Sequence, residues 1–270
     1  MAEIVLIEHP RSPYAQKVRI LLREKGLSFT TELPAGLGSG VLNDELRRLN
    51  PRLEVPMLRV GDARLFDSSI ILAFLEETYP APALMPAEPA ARARARMIEE
   101  VCDTHWEAMN WGLGEVDLWH RGGETLGPVL HAAAERDAHA LYRWLGQQLG
   151  DAAWLSGDRF GWADVCAAPF IATTVRFGLC PEPGSNVAKW FDRVKTRPAV
   201  RDTIAEAAAL HHVMPELVTA MENGAFKRQY RDHRLEWMIR AGGMQVVLDG
   251  LAKNNIRFTD LGLFDPEAKP

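Results

Sequence analysis

Ser12-Pro13-Tyr14 follows the apolar run Ile4–Ile7 and opens a stretch with Val18, Leu21 and Leu22 at helical spacing. Serine before proline is a good start for a helix: the hydroxyl accepts a free backbone N–H, and proline suits the first turn. The same geometry can do chemistry. A helix start carries free N–H donors and about half a positive charge, so it favours an anion. A thiol brought there loses its proton more easily, and a hydroxyl donating to the sulfur favours the charged form. Ser12 would thus activate a thiol carried by another molecule and not attack substrate itself. Tyr14 offers a second hydroxyl, with packing in the first helical turn as the plainer role. Asp67-Ser68 repeats the pattern ahead of Ile70, Ile71, Phe74 and Leu75; both are good caps, and the position equally suits an anion.

Other candidates are weaker. Trp106, Met109, Leu113 and Val116 recur at 3-4-3 spacing. Core packing explains such a face; with Trp111 and Trp119 it could also form an aromatic wall. His105 beside it is a possible acid or base, or simply a surface or core histidine. Gly36–Gly40 fits neither dinucleotide nor phosphate-loop spacing and reads as a loop. His211-His212 with Glu216 read as a solvated helix end, and no metal site is expected. The basic run Lys227–Arg234 is broken by Asp232 and reads as a salt-bridged helix face.

These residues need elements to hold them. Glu3–Glu8 reads as a buried strand, Pro13–Lys25 as a helix ended by Gly26, and Leu27–Leu33 as a second, parallel strand. Asp44–Leu49 reads as a short helix, Pro56–Val60 and Arg64–Phe66 as strands around the turn Gly61-Asp62, and Asp67–Thr78 as a helix. From Tyr79 the composition shifts, with Pro80, Pro82, Pro86 and Pro89 marking a linker. Beyond it helices are expected over about 90–120, 125–149, 162–177, 186–196, 199–210, 216–223 and 231–252, the last interrupted by Gly242-Gly243. The division expected is an α/β domain (1–80), a linker (81–89), an all-helical domain (90–212) and a helical extension (213–270).

The chain has 270 residues, 47% hydrophobic and 25% charged, with net charge −5. That balance argues against nucleic-acid binding. No run approaches a membrane span. The three unpaired cysteines, Cys102, Cys166 and Cys180, point to a reducing compartment, and the N-terminus lacks signal-peptide character, so cytoplasm is expected.

Five motifs in order carry a resemblance to the glutathione S-transferase superfamily. They are Ser12-Pro13-Tyr14-Ala15; Asn50-Pro51 with Glu54-Val55-Pro56; Phe66-Asp67-Ser68-Ser69; Pro89 to Arg94; and Gly157 to Asp164. The resemblance spans about residues 3–210. It implies a thioredoxin-like N-terminal domain followed by an all-α domain, a homodimer, and glutathione as co-substrate without a metal. Ser12 would stabilise the glutathione thiolate, with Tyr14 as runner-up. Pro56 would follow a cis bond, where composition alone predicts trans, and Val55 would pair its main chain with the ligand. Asp67 would meet the γ-glutamyl ammonium and Ser68 its carboxylate. Trp106, Met109 and Leu113 would line a pocket for a small hydrophobic electrophile. The implied chemistry is conjugation, dehalogenation, ether cleavage or isomerisation, as in detoxification. A non-catalytic binding or assembly module is the alternative. A thiol-disulfide oxidoreductase is disfavoured by serine, not cysteine, at position 12. Gly161 departs from the pattern, which usually has Ser or Thr there as a helix cap.

Overall fold

The computed structural model describes residues 2–34, 37, 49, 50, 52–121, 123–210, 215–223, 225, 232, 235 and 244–253. Four strands form one sheet: β1 (Ile4–Ile7), β2 (Thr30–Glu32), β3 (Met57–Val60) and β4 (Ala63–Phe66), in the order β2-β1-β3-β4. β2 runs parallel to β1 through the crossover helix α1 (Pro13–Glu24), as the strand-helix-strand pattern predicts. β3 and β4 are antiparallel to their neighbours. A helix α2 (Ser68–Thr78) follows.

The unbroken apolar run of β1 has a physical cause, since both sheet faces are covered. Ile4 and Leu6, with Leu58 and Val60, join the main core shared with the helices. Val5 and Ile7, with Met57, pack on the other side against Leu53, Val55 and Phe66. β2 is shorter than the expected Leu27–Leu33, because Leu27 and Phe29 pack against the helical core and only Thr30–Glu32 pair with β1.

The second half is helical: α3 (Pro89–Val101), a π-turn (Cys102–Trp106), α4 (Glu107–Asp117), α5 (Gly123–Leu149), α6 (Trp162–Arg176), α7 (Asn186–Val194) and α8 (Pro198–Ala209). The long helix expected from 90 to about 120 is therefore divided by a π-turn. The proline-rich stretch is held to the first domain: Lys25 Nζ donates to the Tyr79 and Pro82 carbonyls at 2.8 and 2.9 Å, and Glu76 accepts from the Leu84 and Met85 amides. Two further helices, α9 (Pro215–Glu222) and α10 (Met244–Ala252), are described in the C-terminal part. Met244, Leu248 and Leu251 stay exposed along one face of α10. The expected helix 44–49 (except Leu49), the glycine-rich loop (except Leu37), His211-His212 and most of 226–243 lie outside the described residues.

α6 is buried over nearly its whole length, and its start explains the glycine at 161. Asp164 reaches back to the Gly161 amide at 3.0 Å. The acceptor that glycine lacks comes from another segment: Ser156 Oγ takes the Ala163 amide at 3.1 Å. A Cβ at position 161 would lie 2.6 Å from the Leu84 carbonyl oxygen and 2.9 Å from the Ser156 side chain. Glycine is thus demanded by space, although serine is the better cap in isolation. Urea unfolding should show Gly161→Ser destabilised by about 1–3 kcal/mol through overpacking, and Ser156→Ala by about 1 kcal/mol through the lost cap. A stabilised Gly161→Ser would contradict this account.

Candidate active site

The sheet register gathers the sequence motifs. Ile7 pairs with Met57, and Met57 with Phe66, so these three form a row across one end of the sheet. Ser12 lies five residues beyond Ile7, Val55-Pro56 directly precedes Met57, and Asp67 directly follows Phe66. Segments remote in sequence therefore leave or enter the sheet at one end.

At the first, Ser12 is the N-cap of α1. Its hydroxyl accepts the Ala15 amide at 3.3 Å, a long bond, and the side chain is half-buried. Capping uses a lone pair and leaves the hydroxyl proton to donate. The turn before it is built by the Ser12 amide on the His9 carbonyl (2.9 Å) and Gln16 Nε2 on the Pro10 carbonyl (2.9 Å). Burial, reinforced by Arg11, pushes the His9 pKa down to about 4, so His9 is neutral at pH 7 and accepts the Arg11 amide at Nδ1.

At the second, the Val55-Pro56 bond is cis. The loop before it is shaped by buried Asn50, which donates to the Glu54 carbonyl and accepts the Arg52 amide, both at 2.9 Å. At the third, Asp67 caps α2, accepting the Ser69 and Ile70 amides at 3.0 and 3.4 Å. Its φ of 75° lies in the left-handed region, unusual for an aspartate, and such strain costs about 1–3 kcal/mol and gathers at functional sites. Arg52 lies 3.7 Å from the Asp67 carboxylate. Ser68 is buried at the helix start.

Tyr14 is committed elsewhere. Its hydroxyl donates to the Asp103 carbonyl at 2.6 Å and its ring meets Phe170 edge-on, which ties α1 to the helical domain. The pocket expectation is corrected in part. Trp106 is fully buried against Tyr142 at 5.5 Å and Leu113 is buried in the same domain, so neither presents surface to a substrate. Their spacing marks core. Met109 is partly buried. A cavity of about 330 Å³ lies elsewhere, between α5 and the start of α7, and none of the site candidates named from sequence lines it. Burial lowers the His105 pKa, against the opposing charge of Glu100. Among the described residues no three of His, Cys, Asp and Glu gather as metal ligands, and no helix is long and apolar enough to cross a membrane.

Sequence reasoning missed the ion cluster behind these helix starts. Lys17 of α1 is fully buried and donates to Glu99 at 2.9 Å and to Asp103 at 2.7 and 2.9 Å. Ser69 Oγ lies 2.6 Å from Glu99 and 3.3 Å from Asp103, and the Trp162 indole donates to Glu99 at 2.6 Å. Burial acts to lower the Lys17 pKa, but Asp103 and Glu99 hold it well above its usual value. Burial acts to raise Glu99, and Lys17 with the Ser69 and Trp162 hydrogen bonds brings it below the usual carboxylate value. For Asp103 burial outweighs Lys17, and its pKa rises to about 6. A signal existed: Lys17 falls three after Tyr14 and four before Leu21, on the apolar face of α1, and Glu99, Asp103 and Trp106 share one face at 4-3 spacing.

With this geometry described, comparison with known proteins is decisive. Residues 6–83 match the model of the glutathione S-transferase N-terminal domain, and residues 128–193 that of the C-terminal domain. The chain belongs to the glutathione S-transferase family. It is 33% identical over 210 residues to a maleylacetoacetate isomerase of Pseudomonas aeruginosa, covering 73% of this chain and 93% of that one. It is 31% identical over 214 residues to glutathione S-transferase GstB of Escherichia coli, covering 74% and 97%. The crystal structure of a glutathione S-transferase from Methylobacterium radiotolerans, in complex with glutathione sulfonate, has a TM-score of 0.61 at 31% identity, covering 75% and 94%. The thioredoxin-like domain followed by a helical domain is thus the glutathione S-transferase fold, and the chain is a glutathione S-transferase-like enzyme.

Removing Lys17 leaves two carboxylates buried without their cation. Lys17→Met should lower unfolding stability at pH 7 by about 3–5 kcal/mol, read by urea titration. An unchanged midpoint would mean that the cluster does not hold the two domains together.

Proposed function

We propose that the chain binds glutathione along this end of the sheet and activates its thiol for reaction with a small hydrophobic electrophile. The reading is carried by the register that brings Ser12, Val55-Pro56 and Asp67-Ser68 to one end of the sheet. The Ser12 hydroxyl donates to the sulfur, and the positive end of α1 favours the thiolate. The Val55 main chain pairs with the peptide-like middle of the ligand, in the manner of an added strand beside Pro56. Asp67 meets the γ-glutamyl ammonium, and Ser68 with the start of α2 receives its carboxylate. Arg52, beside Asp67, adds a cation at that end. The thiolate sulfur then forms a bond to an electrophilic carbon; its electron pair either displaces a leaving group, giving conjugation, dehalogenation or ether cleavage, or adds, giving conjugation or, when the C–S bond breaks again and the thiolate leaves, isomerisation.

The names of the relatives favour two of these outcomes, transfer and isomerisation. We further infer domain limits of 1–80 and 90–212 with an extension over 213–270, a homodimer, and a cytoplasmic site of action. Exposed Ile70 on α2 and Met97 on α3 supply apolar surface for the dimer.

The test is calorimetric titration of glutathione into wild type and Ser12→Ala, with the thiolate absorbance of bound ligand followed against pH. In wild type the bound thiol pKa should fall from about 8.5 toward neutral. In Ser12→Ala it should move back up, with binding retained through Val55 and Ser68. Absence of binding at millimolar glutathione would reduce Ser12 to a helix cap and overturn the reading.

A further inference from the structure

The ligand proposed above spans two helix starts, Ser12 at α1 and Ser68 at α2. Their separation must be held to within a fraction of an ångström for both ends to bind together. Asp103 makes contacts to both. Through its backbone carbonyl it accepts from Tyr14, two residues beyond Ser12. Through its carboxylate it meets Lys17 on the next turn of α1 and the hydroxyl of Ser69, the neighbour of Ser68. Glu99 touches Lys17 and Ser69 but has no contact of this kind with Tyr14 among the described residues.

The π-turn makes the backbone contact possible. In an uninterrupted α-helix the Glu107 amide would bond the Asp103 carbonyl. Here it reaches the Cys102 and Thr104 carbonyls instead. The Asp103 carbonyl is thereby available to Tyr14, and π-turns of this sort recur at functional sites.

We propose that Asp103 is a positioning residue for glutathione, clamping the starts of α1 and α2 at the spacing the ligand requires. This rests on the glutathione reading of the site. Asp103 acts through Tyr14, Lys17 and Ser69 and is not itself in contact with ligand.

The carboxylate faces Lys17 of α1, the Ser69 hydroxyl of α2, Glu99 of α3, Cys102 of its own turn and Cys166 of α6; the Trp162 indole is held by Glu99. Burial pushes both thiols well above their usual range, so they stay neutral. Asp103, held up at about 6, is the member of this group that changes charge just below neutral pH. Its folded-state pKa is raised, so its contribution to stability is complete below the unfolded value and is lost as pH rises through about 6. The ionised carboxylate is the form that pairs with Lys17 and tightens the clamp. Binding that follows this transition is a readout a purely structural residue would not give.

The probe is S-methylglutathione, which has no thiol and so does not depend on Ser12 chemistry. Calorimetric titration is made at about pH 7.5 and about pH 5, either side of the Asp103 transition. Wild type should bind more weakly at the lower pH. Asp103→Asn should bind about tenfold or more weakly than wild type at the higher pH and lose the pH dependence. Ser69→Ala and Tyr14→Phe, which each cut one tie, should weaken binding less. Asp103→Asn binding like wild type at both pH values overturns the clamp and leaves the glutathione reading standing. Should Asp103→Asn fail to fold, unchanged affinity in both Ser69→Ala and Tyr14→Phe overturns it equally. No binding by wild type removes the glutathione reading, and the clamp with it.

Discussion

A fully buried lysine charge organises this molecule. An ammonium taken out of water costs several kcal/mol unless opposite charge and hydrogen bonds replace its hydration. For Lys17 the replacement comes from Glu99 and Asp103, and both lie across the boundary between the sheet domain and the helices. The first domain thus carries a cation whose ion-pair partners, among the described residues, lie in the second. The apolar core agrees with this, running without a break from Leu6 and Leu72 to Trp106, Trp162 and Phe170. The two halves cannot part without stranding a charge and opening that core. A site built on helix starts next to this contact inherits its rigidity.

The π-turn adapts a long helix to that duty. Continuing α-helical bonding through Cys102–Trp106 would have left the Asp103 carbonyl bonded inside the helix. The shift in register gives it to Tyr14, and the same residue turns its carboxylate to Lys17 and Ser69. Trp106, at the end of the turn, still enters the core beside Tyr142. One local irregularity therefore serves packing on one face and a link between domains on the other.

Much of the fold was legible because the sequence marks it locally. Pro13, Gly26, Gly61-Asp62 and Asp67 punctuate the first domain, and its described strands and helices fall within a few residues of their expected limits. The site motifs were legible for the same reason, since capping residues are visible one helix at a time. The ion cluster was harder, because its members lie up to 86 residues apart and nothing local says that Lys17 will find Asp103. A lysine on an apolar helical face was the available clue. Trp106 and Leu113 show the opposite error. Apolar spacing states that a face is covered, but whether by the protein's own core or by substrate depends on what packs there.

Helix starts alone do not separate a folding cap from a site, but the degree of satisfaction at each start does. At α6 the closure is extensive. Asp164 takes the Leu155, Ser156 and Gly161 amides and the Trp190 indole, and Ser156 takes the Ala163 amide, all within 3.2 Å. That start is engaged with the chain's own groups, and its buried carboxylate serves the fold. At α1 a half-buried hydroxyl makes one long bond and keeps its proton, and at α2 the capping aspartate sits in a strained left-handed conformation. Folding alone would favour closing the first and relaxing the second. At α1 that leaves a hydroxyl proton for another partner, whereas groups already satisfied within the chain gain little by binding anything else.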